Sequence, residues 1–175
     1  MEFAKIVLVC IFASIVYGIA HDQVTARICV QYFTVFHPPI FMTSSPTLLG
    51  IGWGIIATWW AGAIIGLLLA IAAREGSRPK LTAGQIAPLV AYLMAIMAVC
   101  ALVFGTIGYF KGPVPSDVFV LLPKEMHRRF VADWWAHGAS YATGFIGGVT
   151  LCVVVWLKRG EPWRLEFLWT RPTGQ

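Results

Sequence analysis

Polar and apolar positions are unevenly distributed along the chain. Four long apolar stretches, 3–20, 48–73, 86–110 and 131–157, are separated by intervals that hold most of the charge. Residues 3–20 are interrupted only by Lys5 and Ser14, and 48–73 carry no charge before Arg74-Glu75-Gly76 closes them. Residues 86–110 have Pro88 near their start, where a missing N–H costs a helix little. Residues 131–157 begin with Asp133 and His137 and end at Lys158-Arg159-Gly160. At 1.5 Å of rise per residue, about 20 residues of helix cross a hydrocarbon layer of roughly 30 Å. The pattern therefore predicts an all-α integral membrane protein of four transmembrane helices forming one domain over 1–175, with 158–175 as a polar tail.

The intervals differ in character. Residues 74–85 form a short basic turn, whereas 21–47 form a longer loop ending in His37-Pro38-Pro39 and Ser44-Ser45-Pro46. Within that loop, 22–36 reads two ways. Alternation of Val24, Ala26, Ile28, Val30 and Tyr32 with polar residues suits a strand; Val24, Ile28, Tyr32 and Val35 also form a helical stripe. An isolated strand needs a partner, so a short helix lying on the membrane surface is expected. Residues 111–130 contain the apolar patch 118–122, and Pro123 is placed as the first residue of a helix running into the fourth span. The first span has a rival reading as a signal peptide, with Lys5 as its basic region and Gly18-Ile19-Ala20 as a cleavage site. Residues 1–20 are expected to be retained as a helix.

Composition agrees with lipid as the main solvent. Of 175 residues, 58% are hydrophobic and 12% charged, and mean hydropathy is +0.75. A disordered chain, a disulfide scaffold and an ordinary soluble domain are excluded. The net charge of +5 comes from residues flanking the spans, which points to topology and anionic headgroups rather than nucleic acid. With the N-terminus inside, Lys5, Arg74, Arg78, Lys80, Lys158, Arg159, Arg164 and Arg171 are cytoplasmic, and Arg27, Lys111, Lys124, Arg128 and Arg129 are outside. Eight against five favours both termini in the cytoplasm of a bacterial inner membrane. Trp134, Trp135, Trp156 and Trp163 suit interfacial belts, whereas Trp59 and Trp60 lie mid-span.

Several chemistries lack their motif. Cys10, Cys29, Cys100 and Cys152 are far apart in sequence, so no CxxC pair supports dithiol exchange. Gly50, Gly52 and Gly54 are not followed by the Lys-Ser or Lys-Thr of a phosphate loop. Gly62 and Gly66, and Ala136, Ser140, Gly144 and Gly148, are four-residue stripes of small side chains, expected at close helix contacts.

The candidate chemistry is one-sided. His21, His37, His127 and His137 all fall at or near the outer ends of spans, with Asp22, Asp117, Glu125 and Asp133. His21-Asp22 is expected to end the first span, and Asp133 and His137 share a face of the fourth. Ionisable groups within a membrane are costly and usually face the bundle interior. Convergence of His21, Asp22, His37, Asp133 and His137 would offer nitrogen and carboxylate ligands to Zn²⁺ or a related divalent metal. A structural alternative is a salt-bridge ladder along Glu125, Arg129, Asp133 and His137, with His21-Asp22 as a helix cap. Ser140, one turn beyond His137, is poorly aligned for a Ser/His/Asp relay. A non-catalytic role, packing through the small-residue stripes against lipid and another membrane protein or a second copy, remains the other function class.

The strings Tyr17-Gly18-Ile19-Ala20-His21-Asp22-Gln23-Val24-Thr25-Ala26-Arg27, Tyr32-Phe33-Thr34 with His37-Pro38, Gly52-Trp53-Gly54 with Ala57-Thr58-Trp59-Trp60, and Trp135-Ala136-His137-Gly138-Ala139-Ser140-Tyr141 resemble a family of small, uncharacterised bacterial membrane proteins. The resemblance reaches to about Trp156. It implies a four-span inner-membrane protein and no particular activity. Its pattern has Glu before Tyr-Phe-Thr where this chain has Gln31, which removes one carboxylate from any metal site there.

Overall fold

The computed structural model describes residues 1–159. It is all-helical over these residues: α1 (Glu2–Ile28), α2 (Val30–Val35), α3 (Pro46–Ile56), α4 (Trp59–Arg74), α5 (Ala83–Lys111), α6 (Ser116–Leu121) and α7 (His127–Lys158), with a 3-10 turn at Lys124–Met126. Four helical units, Glu2–Ile28, Pro46–Arg74, Ala83–Lys111 and Lys124–Lys158, are long and apolar enough to cross a membrane. The tail residues Trp163, Arg164 and Arg171 lie outside the described residues.

The structure corrects the expected end of the first span. The helix does not stop at Ala20 but continues two turns through His21 and Asp22 to Ile28. No Gly or Pro interrupts 21–28, so polarity alone does not end it. Gly18, Asp22, Thr25 and Ala26 are buried in α1, and Cys29 beyond it. Their spacing follows one helix face. Val24 and Ile28, by contrast, are exposed. The chain breaks at Cys29, whose backbone is extended. It then forms α2, so the segment 22–36 is helical in two pieces and contains no strand.

The second span is also divided. Ser45 caps α3 by accepting from the Leu48 N–H, with Pro46 in the first turn. The helix then deforms at Ala57-Thr58, where the Thr58 hydroxyl donates to the Gly54 carbonyl at 2.6 Å. α4 resumes at Trp59.

Glycine sets the approach of the spans. A Cβ at Gly54 would stand 2.5 Å from the Ile19 nitrogen, and one at Gly18 2.5 Å from the Gly54 carbonyl oxygen. A Cβ at Gly50 would meet Asp22 backbone atoms at 3.0 Å. Gly62 and Gly66 continue the contact along α1 at Cys10 and Val7. These positions run in opposite directions along the two chains, so α1 and α3–α4 form an antiparallel pair. α5 and α7 form the second pair, with Gly105 against Ala136, Gly108 against Trp135 and Gly144 against Met97. Tight backbone contact supplies dispersion where lipid removes any hydrophobic drive between helices.

The two ends of the bundle are built differently. At one end, Glu2 accepts the Ala83 N–H at 2.9 Å and pairs with Lys5 at 2.7 Å. Arg78 donates to the Trp156 carbonyl at 2.6 Å and lies over its ring, and Arg159 donates to the Glu75 carbonyl. At the other end, α2, α6 and the start of α7 enclose Ala26, Tyr32, Phe33, Trp53, Val118 and Phe130. His127 belongs to this packing: its Nε2 donates to the Leu122 carbonyl at 2.9 Å and its ring meets Phe119 edge-on.

Gly54→Ala and Gly18→Ala should each lower stability by about 1–3 kcal/mol, because the added methyl meets backbone atoms at Gly54 and, at Gly18, the Gly54 carbonyl together with the Thr58 side chain held to it. Gly138→Ala is the matched control, since a Cβ there meets nothing within 4 Å. Thermal unfolding in detergent should separate the first two from the third; equal behaviour of all three would show that the α1–α3 contact does not hold the bundle.

Candidate metal centre

α1 and α7 bring His21, Asp22 and His137 together, although 115 residues separate the last two. One ligand atom from each lies within 4.8 Å of the others. Asp22 and His137 are each 5% exposed. The rings of His21 and His137 meet edge-on with centroids 4.6 Å apart.

Hydrogen bonding fixes the tautomer of His137. Its Nδ1 lies 2.8 Å from the Asp133 carbonyl oxygen. A carbonyl only accepts, so Nδ1 carries the proton and donates. Neutral His137 then presents the lone pair of Nε2 to Asp22 Oδ1, 3.3 Å away. Two acceptors face one another, which requires a positive centre between or beside them. The Nε2 of His21 is buried and has no hydrogen-bond partner among the described residues. A proton would reconcile Asp22 with His137 and leave His21 alone; a divalent cation would engage all three. With Zn–N and Zn–O bonds of about 2.0–2.1 Å, tetrahedral ligands stand roughly 3.3 Å apart, close to the spacing found for Asp22 and His137.

The aromatic surroundings hold the imidazoles in place. Tyr32 stacks on His137 at 4.5 Å, and Tyr17 stacks on His21 at 5.7 Å. Tyr17 also hydrogen-bonds Ser140 at 2.7 Å, tying α1 to α7 one turn from the histidines. Ser140 is thus engaged by a tyrosine, consistent with its poor alignment for a nucleophilic relay.

The other two candidates occupy different positions. His37 is outside the three-residue group. Its Nδ1 donates to the Tyr32 carbonyl at 2.8 Å, capping the C-terminus of α2, and its ring packs against Trp53 at 4.7 Å. Burial holds the His37 imidazole below its ordinary pKa, against the opposing influence of the Tyr32 carbonyl. Burial likewise pushes up the Tyr32 hydroxyl and the Cys29 thiol. Cys29 donates weakly to Gln31 Oε1 at 3.6 Å.

Asp133 is fully buried, and among the described residues neither carboxyl oxygen has a hydrogen-bond partner of normal geometry, although the Cys29 N–H lies near the group. It offers its backbone carbonyl to His137 while its side chain stays within electrostatic reach of Asp22. The salt-bridge ladder is therefore corrected. Glu125 lies in the 3-10 turn before α7, Arg129 is exposed, and Asp133 pairs with neither. His21-Asp22 is no helix cap either, being a full two turns inside α1.

Sequence reasoning missed the Tyr17–Ser140 bond and the stacking of Tyr32 on His137. A usable signal was present: Gly18, Asp22, Thr25 and Cys29 recur at steps of four, three and four, and Phe130, Asp133, His137 and Ser140 at three, four and three. Each is one helix face on which small or aromatic residues accompany the polar ones.

Asp133→Asn should leave the fold at least as stable as the wild type, since it keeps the side-chain volume and removes an ionisable group that has no hydrogen-bond partner among the described residues. Chemical unfolding in detergent measures it; a loss of stability would mean that the Asp133 charge has a partner essential to the fold. Comparison of the chain with protein-family models, curated proteins and solved structures finds no match.

Proposed function

We propose that this protein is a small multi-pass protein of a bacterial inner membrane that binds a divalent metal ion, with Zn²⁺ as the best fit, through His21, Asp22 and His137. The observation that carries the reading is the convergence of His21, Asp22 and His137 within 4.8 Å, with the lone pair of His137 Nε2 turned to Asp22 at 3.3 Å because its Nδ1 proton is committed to the Asp133 carbonyl. Three protein ligands of this kind leave one tetrahedral position for water or a bound molecule, the arrangement of reactive rather than purely structural zinc sites. Asp133, through its backbone carbonyl, orients His137 in the manner of an outer-shell partner. His37 closes the site from above without ligating. The charge bias of the flanking loops supports an orientation with this end outside the cytoplasm and both termini inside.

Metal analysis of the purified chain after equilibration with Zn²⁺ tests the reading. About one ion per chain is expected. His21→Ala, Asp22→Asn and His137→Ala should each lose it, whereas His37→Ala and Asp133→Asn should retain it. At free Zn²⁺ a hundredfold above Kd, unfolding should cost about 2.7 kcal/mol more in the wild type and no more in His137→Ala. Absence of bound Zn²⁺, Mn²⁺ or Co²⁺ in the wild type would end the metal reading.

Orientation is tested separately. Reporters fused after Gln175 and inserted between Gly76 and Leu81 should both register as cytoplasmic. A periplasmic signal from either would reverse the side to which the site opens.

A further inference from the structure

A cleft of about 700 Å³ opens between α1 on one side and α5 and α7 on the other. Its lower part is lined by Tyr17, Ala98 and Leu102, its middle by His21 and Thr106, and its upper end by Arg27 and Arg129. Ten residues of α1 separate Tyr17 from Arg27, about 15 Å along the helix axis. The lower and middle walls belong to helices apolar enough to cross a membrane, so the cleft lies at bilayer depth and faces hydrocarbon.

The upper end has a different character. Arg27 donates to Gln23 and to the Thr47 hydroxyl, all neutral acceptors. Among the described residues neither Arg27 nor Arg129 has a carboxylate within ion-pair distance. Two positive charges thus stand at the mouth of an apolar slot, with no described carboxylate within ion-pair distance to balance them. The complement is a molecule with a long apolar chain and an anionic head.

We infer that this cleft binds an anionic phospholipid, its acyl chain lying along α1 and α5 and its phosphate between Arg27 and Arg129. Guanidinium groups suit phosphate because their planar forks match its oxygens. His21 lies six residues below Arg27, about 9 Å along the axis, at the level where a phospholipid's headgroup gives way to its chains. His21 is also one of the three proposed metal ligands, so the lipid is the molecule which the open metal position meets. That last assignment rests on the metal reading; the lipid site itself rests only on the cleft and its arginines.

The full chain in nanodiscs of equal phosphatidylglycerol and phosphatidylcholine, transferred to mild detergent, provides the test. Retained lipid and bound zinc are measured by mass spectrometry on the same sample. An arginine near an anionic headgroup accounts for roughly a five-fold preference. Wild-type protein should retain phosphatidylglycerol over phosphatidylcholine by at least ten-fold. Arg27→Gln and Arg129→Gln should each reduce that ratio about five-fold, with zinc unchanged. Thr106→Trp, at an exposed position of the cleft, should lower total retained lipid, and Lys124→Gln should change neither quantity. Preferential lipid retention without zinc would reject the metal reading and leave the lipid site standing. No preference in the wild type, or arginine variants that match it, would overturn the inference. So would a dimer that excludes lipid and separates on Thr106→Trp, because the cleft would then be covered by a second copy.

Discussion

The site depends on the meeting of Asp22 and His137 inside a bundle that leaves each only 5% exposed. A carboxylate and an imidazole buried to this extent are unfavourable unless each finds a partner. Here they find each other across α1 and α7 at 3.3 Å. Since the Nδ1 proton of His137 is committed to the Asp133 carbonyl, the contact is complete only with a positive centre. The buried Nε2 of His21 has no hydrogen-bond partner among the described residues either. Stability and chemistry are therefore coupled: the contact that burial makes costly is the one that a proton or a metal ion would complete.

The contact requires α1 to be held in register, and this comes from backbone rather than from charge. Gly50 and Gly54 let α3 lie directly on α1 beside Asp22 and Gly18. The deformation at Ala57-Thr58 then lets α4 follow α1 towards its start, where Gly62 and Gly66 repeat the close approach. On the other side, Gly105 and Gly108 settle α5 against α7 at Ala136 and Trp135. Tyr17 and Ser140 join the two pairs just below the histidines. Small residues thus position the polar ones, and a rigid scaffold of this kind suits a site with few ligands.

The ends of the bundle divide the work. Glu2, Arg78 and Arg159 bind backbone groups of neighbouring elements and tie one end shut. The other end carries a roof of aromatic rings and a lateral cleft reaching His21. An opening towards hydrocarbon rather than water would restrict what approaches the site to molecules that partition into lipid.

The sequence by itself determined the helical class and the four segments able to cross a membrane, because long apolar runs bounded by charge have few other physical outcomes. The one-sided gathering of histidines and acids was also visible, as was the expectation that small-residue stripes mark close contacts. Other features depended on tertiary contacts. The first helix runs through His21-Asp22 because Asp22 faces a neighbouring helix, and a polar residue in the interior looks the same in one dimension as a polar residue at an end. His37 differs from His21 only in what lies opposite: for His37 a carbonyl at the end of α2, for His21 a second imidazole from a helix more than a hundred residues away. Asp133 and His137 share a face, as their spacing required, yet the carboxylate stays unpaired and its backbone oxygen makes the contact. Periodicity assigns residues to the face of a helix; only the packing of α1 against α7 decides which atoms on those faces meet.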